Sequence, residues 1–136
     1  MRLRPSKIRY SQDSISNRFC DGELIGEVLD DLCDKRIRKR DIPMIEVALV
    51  NGKWYTADNR RLWVFRKLEE LGKCRKIPVD EIDEIPPYKM TTQNNGKDVR
   101  VRGYPGGEWI RELESSSSDS SSSDDEFYDQ FRKIRM

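Results

Sequence analysis

The sequence predicts an α+β fold, a small mixed β-sheet with two to three helices. Three observations carry this reading. Asn51-Gly52 stands between two runs rich in β-formers, residues 45–50 and 53–57. Both central positions of a type I′ turn need positive φ, and this dipeptide is the strongest short signal for a hairpin. On either side of that hairpin the apolar residues switch to helical spacing. Leu24, Ile25, Val28, Leu29 and Leu32 form one stripe, and Leu62, Phe65, Leu68 and Leu71, widened by Val64, form another. The length of 136 residues suits one domain with appendages.

Taken in chain order, residues 1–6 read as a mobile arm, and residues 7–10 alternate polar and apolar as a strand does. Residues 11–20 are polar around Ile15 and Phe19, which predicts an ordered loop. Asp21 is placed to cap the first helix, with Glu23 in its first turn and an end near Cys33. The basic run 35–40 follows. It is a solvated loop, a nuclear import signal or a nucleic-acid contact through Arg36, Arg38, Lys39 and Arg40, diluted by Asp34 and Asp41.

After the hairpin, Asp58 or Asn59 caps the second helix, and Gly72 with Lys73 just beyond ends it. Residues 76–82 form a further strand, which Pro78 assigns to a sheet edge or a strand start. Pro86-Pro87 closes a domain of residues 7–87. Residues 88–113 read as an extension packed on that domain. It has turns at Asn94-Asn95-Gly96 and at 104–107, a strand-like alternation at 99–102, and Trp109-Ile110 as a docking point.

Residues 114–136 are expected to be disordered. The serine and aspartate run there cannot bury apolar surface. It is either a plain solubilising tail or, with its serines preceding acids, a substrate for an acid-directed kinase and hence a phosphoprotein segment. Phe127, Tyr128, Phe131 and Ile134 carry spacings suited to a short helix that binds a protein partner.

Composition narrows the chemistry. There is no histidine, which excludes Ser-His-Asp and Cys-His catalysis. Cys20, Cys33 and Cys74 are odd in number and match no metal-ligand spacing, so the expectation is free thiols in a reducing compartment and no metal site of the protein's own. No apolar run approaches the ~18 residues that span a bilayer. No apolar segment follows the basic start, as a secretory signal requires. The expected address is cytoplasmic or nuclear, without a membrane. Net charge is +1, but the tail from Ser115 holds five acids and three bases, which leaves residues 1–114 at +3. A mild positive excess permits a phosphate-bearing partner.

The residues most suggestive of function are Asp58-Asn59-Arg60-Arg61, between a strand and a helix. A helix N-terminus has unpaired N–H groups and the positive end of its dipole, so it attracts anions. Two arginines in that turn oppose the dipole by about a few tenths of a kcal/mol. Either they grip a phosphate, or one of them pairs with an acid such as Asp13, Asp21 or Glu23.

The run from Asn51 to Leu62, followed by an amphipathic helix, resembles the core motif of the ParB/sulfiredoxin superfamily. Residues 42–47 and Ile77-Pro78-Val79 resemble the family's neighbouring strands, so the likeness covers about residues 7–85. In ParB proteins the motif reads Gly-Glu-Arg-Arg and takes part in CTP binding. In sulfiredoxins it reads Gly-Cys-His-Arg and holds ATP phosphate. By position Arg61 matches the terminal arginine of both, Arg60 the ParB arginine or the sulfiredoxin histidine, Asn59 the sulfiredoxin cysteine, and Asp58 the glycine. The resemblance implies phosphate binding by Asn59, Arg60 and Arg61, with ATP or CTP and Mg²⁺ as the implied ligands. Asn59 in the cysteine position argues against sulfinic-acid reduction. The helix-turn-helix domain of ParB has no counterpart in the sequence, which argues against plasmid partition.

Asp58 is the candidate catalytic residue, should the site hydrolyse or transfer phosphoryl groups or act as a nuclease. The alternatives for its carboxylate are capping the helix, holding Mg²⁺ or weakening phosphate binding. The competing readings are an interaction module acting through the acidic tail, and a nucleic-acid binder. The latter would use the basic run with Arg60, Arg61, Arg100 and Arg102, and Trp54 or Tyr104 for stacking.

Overall fold

A computed structural model describes residues 1–118. The hairpin lies at its centre. β4 (Ile45–Val50) and β5 (Lys53–Thr56) pair antiparallel across Asn51 and Gly52, whose φ values of 51° and 78° are those a type I′ turn requires. β6 (Ile77–Glu81) pairs with β4 in parallel, and β2 (Ile8–Tyr10) pairs with β5 in parallel. With β1 (Arg2–Leu3) against β6, the sheet has five strands in the order β1-β6-β4-β5-β2. It is a mixed sheet, as expected.

Two helices cover one face. In α1 (Ile25–Cys33) the residues Ile25, Val28, Leu29 and Leu32 are buried, and in α2 (Asn59–Glu70) so are Leu62, Phe65 and Leu68. They meet Ile8, Ile45, Val47 and Ile77 from the sheet in one core. α2 also buries Trp63, so its apolar face is broader than the stripe alone suggests. It ends in a Schellman motif. Gly72, at φ 77°, donates its N–H to the Glu69 carbonyl, and Lys73 donates to Leu68. On the opposite face of the sheet, Ala48 and Tyr55 pack under Ile85 from the segment after β6.

The structure departs from three expectations. Residues 1–6 are an edge of the sheet: Arg2 and Leu3 face Pro78 and Ile77, Pro5 is buried, and Ser6 donates to Glu69 from both its N–H and its hydroxyl. Of the two placements open to Pro78, the strand start holds: it is the second residue of β6, and β1 supplies that strand's outer partner. α1 starts at Ile25 rather than after Asp21. The Asp21 carboxylate accepts the Glu23 N–H in a turn completed by Gly22 at φ 91°, and the bridge between Arg18 and Leu24 keeps the chain extended for two more residues. The polar stretch 11–20 contains a strand, β3 (Ser14–Ser16), whose partner lies far along the chain.

That partner is β7 (Arg100–Arg102), which runs parallel to β3 within residues 88–113. They complete the body. α3 (Trp109–Ser118) inserts Ile110 into the main core. Its first N–H groups are capped from another helix: Asp30 accepts from Glu108 at 2.8 Å and from Trp109 at 2.9 Å. Just before α3, Gly106 and Gly107 lie against Gly26 at the start of α1, whose N–H donates to the Pro105 carbonyl at 2.8 Å. Residues 114–118, expected to belong to the disordered tail, continue α3, while the rest of the serine-rich segment and the aromatic segment 127–134 lie outside the described residues.

A Cβ at Gly26 would meet the Gly106 carbonyl oxygen at 1.9 Å, a backbone atom with no rotamer to yield. Gly26→Ala is therefore expected to destabilise the domain by about 1–3 kcal/mol, the cost of overpacking, read as a lower urea midpoint with an unchanged slope.

Candidate functional site

The Asp58-Asn59-Arg60-Arg61 corner opens into a cleft of about 770 Å³. Its walls come from segment 12–23, Val28 of α1, the α1–β4 strap with Ile37, Asp41, Ile42 and Pro43, the corner itself, and Lys89 and Arg102. The volume falls in the range of small-molecule sites. The sequence located the corner but not the walls. Gln12, Phe19 and Lys89 carry no local signal, because they reach the cleft through long-range pairing.

Asn59 is 5 % exposed and holds the corner in place. Its Oδ1 accepts the Ser11 N–H at 2.8 Å, and its Nδ2 donates to the Ser11 hydroxyl at 3.0 Å and to Gln12 Oε1 at 3.4 Å. This side chain is committed to the protein. What Asn59 offers a ligand is its backbone N–H.

Asp58 occupies the cap position of α2 but caps nothing with its side chain. Its Oδ2 accepts the Glu46 N–H at 2.8 Å, which joins the corner to β4, and its own N–H donates to Thr56 Oγ1 at 3.0 Å. The N–H groups of Asn59, Arg60 and Arg61 consequently have no acceptor among the described residues, and they stand at the positive end of α2.

The two arginines are held differently. Arg60 donates to the Arg18 carbonyl at 2.7 Å, lies 5.9 Å from the Phe19 ring centre and approaches Cys20 Sγ at 3.8 Å. It has no carboxylate partner among the described residues. Arg61 is held loosely, at 3.4–3.5 Å from the carbonyls of Met44 and Pro43 and 3.9 Å from Asp58 Oδ1. Neither pairs with Asp13, Asp21 or Glu23. Asp13 is engaged in a loop, where it accepts the Gln93 N–H at 2.7 Å.

The other residues singled out from the sequence are dispersed. Arg36 is tied to Asp31 at 2.9 Å and Asp34 at 3.1 Å, whereas Arg38, Lys39 and Arg40 are exposed around a short turn. Arg100 is on the surface, and Arg102 reaches the cleft while donating to Ser14. Trp54 is packed against the core, and the Tyr104 hydroxyl accepts from Arg111, so neither forms a stacking platform beside the arginines of the corner. Among the described residues no group of three or more His, Cys, Asp or Glu side chains gathers into a metal site.

The thiols separate by burial. Cys20 is exposed on the cleft wall, while Cys33 and Cys74 are buried. Burial, opposed by the charge of Lys73, pushes the Cys33 thiol up to about 12, and burial likewise raises Cys74. No family model, curated protein or solved structure matches the chain. Among the described residues no helix is long and apolar enough to cross a membrane.

Asn59→Ala leaves the Ser11 N–H buried without an acceptor and is expected to cost about 1–3 kcal/mol, measured by chemical denaturation. In the native protein a thiol reagent is expected to modify Cys20 quickly, and Cys33 and Cys74 only at the rate of unfolding. Because the folded Cys33 releases its proton at higher pH than the unfolded thiol, whose ordinary value is 9.0, its contribution to stability is intact below pH 9 and declines as pH rises towards 12. A denaturation series across that range reads the decline.

Proposed function

We propose that the cleft binds a phosphate-bearing ligand, a nucleotide in the first instance, with its phosphates at the start of α2. One observation carries the reading. An α-helix begins inside a cleft of nucleotide size with no side-chain cap, and two arginines line the same corner. Unpaired N–H groups and a helix dipole favour an anion there. Arg61 is the residue most available to a ligand, since its contacts are long and its partner Asp58 already accepts a hydrogen bond from Glu46. Arg60, braced on the Arg18 carbonyl and Phe19, presents its charge in a fixed position. The likeness to ParB and sulfiredoxin motifs supports the same assignment of Arg60 and Arg61, and an intracellular setting accords with it.

Acids also face the cleft, among them Asp21, Glu23 and Asp41. They would repel a bare polyphosphate. With no cluster of three acidic, thiol or imidazole ligands among the described residues, the donor set suits a Mg²⁺ that arrives on the phosphates and takes one or two carboxylates at most. Such an ion would neutralise phosphate charge. Hydrolysis or transfer is a further step. Asp58, hydrogen-bonded to Glu46 and beside Arg61, is better disposed to position Arg61 than to accept a proton.

The test is a thermal-shift panel of ATP, CTP, GTP and ADP, with and without Mg²⁺. At about ten times Kd a ligand specific for the native state adds about 1.4 kcal/mol, several degrees for a domain of this size. The expected result is a rise with at least one nucleotide that is lost in Arg61→Ala and reduced in Arg60→Ala. Cooperative melting with no shift from any nucleotide would overturn the reading.

A further inference from the structure

Of the five asparagines in the chain, Asn51 and Asn95 precede glycine. Asparagine is among the chemically labile residues, and glycine has no side chain to obstruct the approach of its own nitrogen to the neighbouring amide. Backbone conformation does not separate the two pairs. Asn51 and Gly52 have φ of 51° and 78°, and Asn95 and Gly96 have φ of 59° and 69°. Their bonding does separate them.

Around Asn95 every group that would have to move is held. The Gly96 N–H donates to Thr92 Oγ1 at 2.9 Å, and the Gly96 carbonyl accepts the Tyr10 N–H at 2.9 Å. The Asn95 carbonyl accepts from Arg9 Nη1 at 2.9 Å and from the Tyr55 hydroxyl at 3.2 Å. Gly96 is buried, and a Cβ there would lie 2.3 Å from the Tyr10 carbonyl oxygen. Around Asn51 the reverse holds. Asn51 and Gly52 are both exposed, and a Cβ on Gly52 would meet nothing within 4 Å. Neither the Gly52 N–H nor the Asn51 side-chain amide has a hydrogen-bond partner among the described residues. The turn can rotate at the expense of the last hairpin pair alone, Val50 with Lys53.

We propose that Asn51 is a site of spontaneous deamidation in the folded protein, and that the fold shields Asn95 from the same reaction. Hydroxide takes the Gly52 amide proton, and the nitrogen attacks the Asn51 side-chain carbonyl carbon. A C–N bond forms, the side-chain nitrogen takes a proton from water, and it leaves as ammonia. Water then opens the five-membered imide at either carbonyl, which yields aspartate or isoaspartate. One water is consumed, one ammonia is released and no electron is transferred. Aspartate before glycine still suits a type I′ turn. Isoaspartate carries the main chain through the former side chain, which adds one backbone atom to the turn and strains the Val50–Lys53 register. The change lies at the far end of the hairpin from Pro43 and Ala57, which line the cleft.

The experiment incubates the full chain at mildly alkaline pH, with and without urea, and follows both sites by digestion and mass spectrometry. Trypsin separates them, because it cuts after Arg40 and Lys53 and after Lys89 and Lys97. A sample taken at the start corrects for conversion during digestion, and fragmentation distinguishes Asn95 from Asn94. In the folded chain Asn51 is expected to convert at least about tenfold faster than Asn95, whose reaction must wait for local opening. In urea the difference is expected to disappear. An enzyme that methylates isoaspartyl carboxylates, given a labelled methyl donor, is expected to mark peptide 41–53 from the aged folded chain. The proposal is overturned if Asn95 converts as fast as Asn51 in the folded chain, if Asn51 converts only in urea, or if the difference persists in urea and so owes nothing to the fold.

Discussion

The arrangement of the cleft depends on the Asn59 amide. It sits at the first position of α2, almost fully buried, and takes Ser11 by both hydrogen-bonding ends across 48 residues of sequence. A buried amide left unpaired would cost more than its bonds return, so this pair fixes the distance between the start of α2 and the loop that follows β2. Ser11 in turn accepts the N–H groups of Thr91 and Thr92 through its carbonyl, which ties the later segment to the same point. One wall of the cleft, its floor and the path toward Lys89 are set from this single junction.

The junction also explains why the helix start is open. Asn59 turns inward and Asp58 turns to Glu46, so neither polar side chain caps the first turn. Capping is ordinarily worth about 1 kcal/mol. Here the same two side chains connect α2 to β2 and β4 instead. Stability is drawn from long-range contacts while the local N–H groups are left facing the cleft. A local rule broken beside a cavity is the pattern expected of a site for a ligand.

A second constraint holds the C-terminal part of the body. Gly26, Gly106 and Gly107 let two backbones touch, and Asp30 of α1 caps α3. Because this contact is made by backbone and by one carboxylate, it fixes orientation as well as proximity. Ile110 then completes the core between the helices. The residues that read as an extension are thereby part of one hydrophobic unit with the domain before them.

The sequence by itself determined the elements whose signals are local. Asn51-Gly52 specified its turn through positive φ, the stripes of α1 and α2 specified buried faces by period, and Gly72 specified a helix end. The corner at 58–61 was legible because a helix start is announced by the residues around it. The tertiary structure alone decided what depends on distant pairing. β1 has two residues and no pattern of its own, and it becomes a strand because β6 offers an edge. β3 and β7 find each other across more than 80 residues. Asn59 reads in sequence as a ligand group or a cap, and burial beside Ser11 makes it a strut. Local signals fix backbone geometry over a few residues, whereas a side chain's partner is chosen by whatever the fold sets against it.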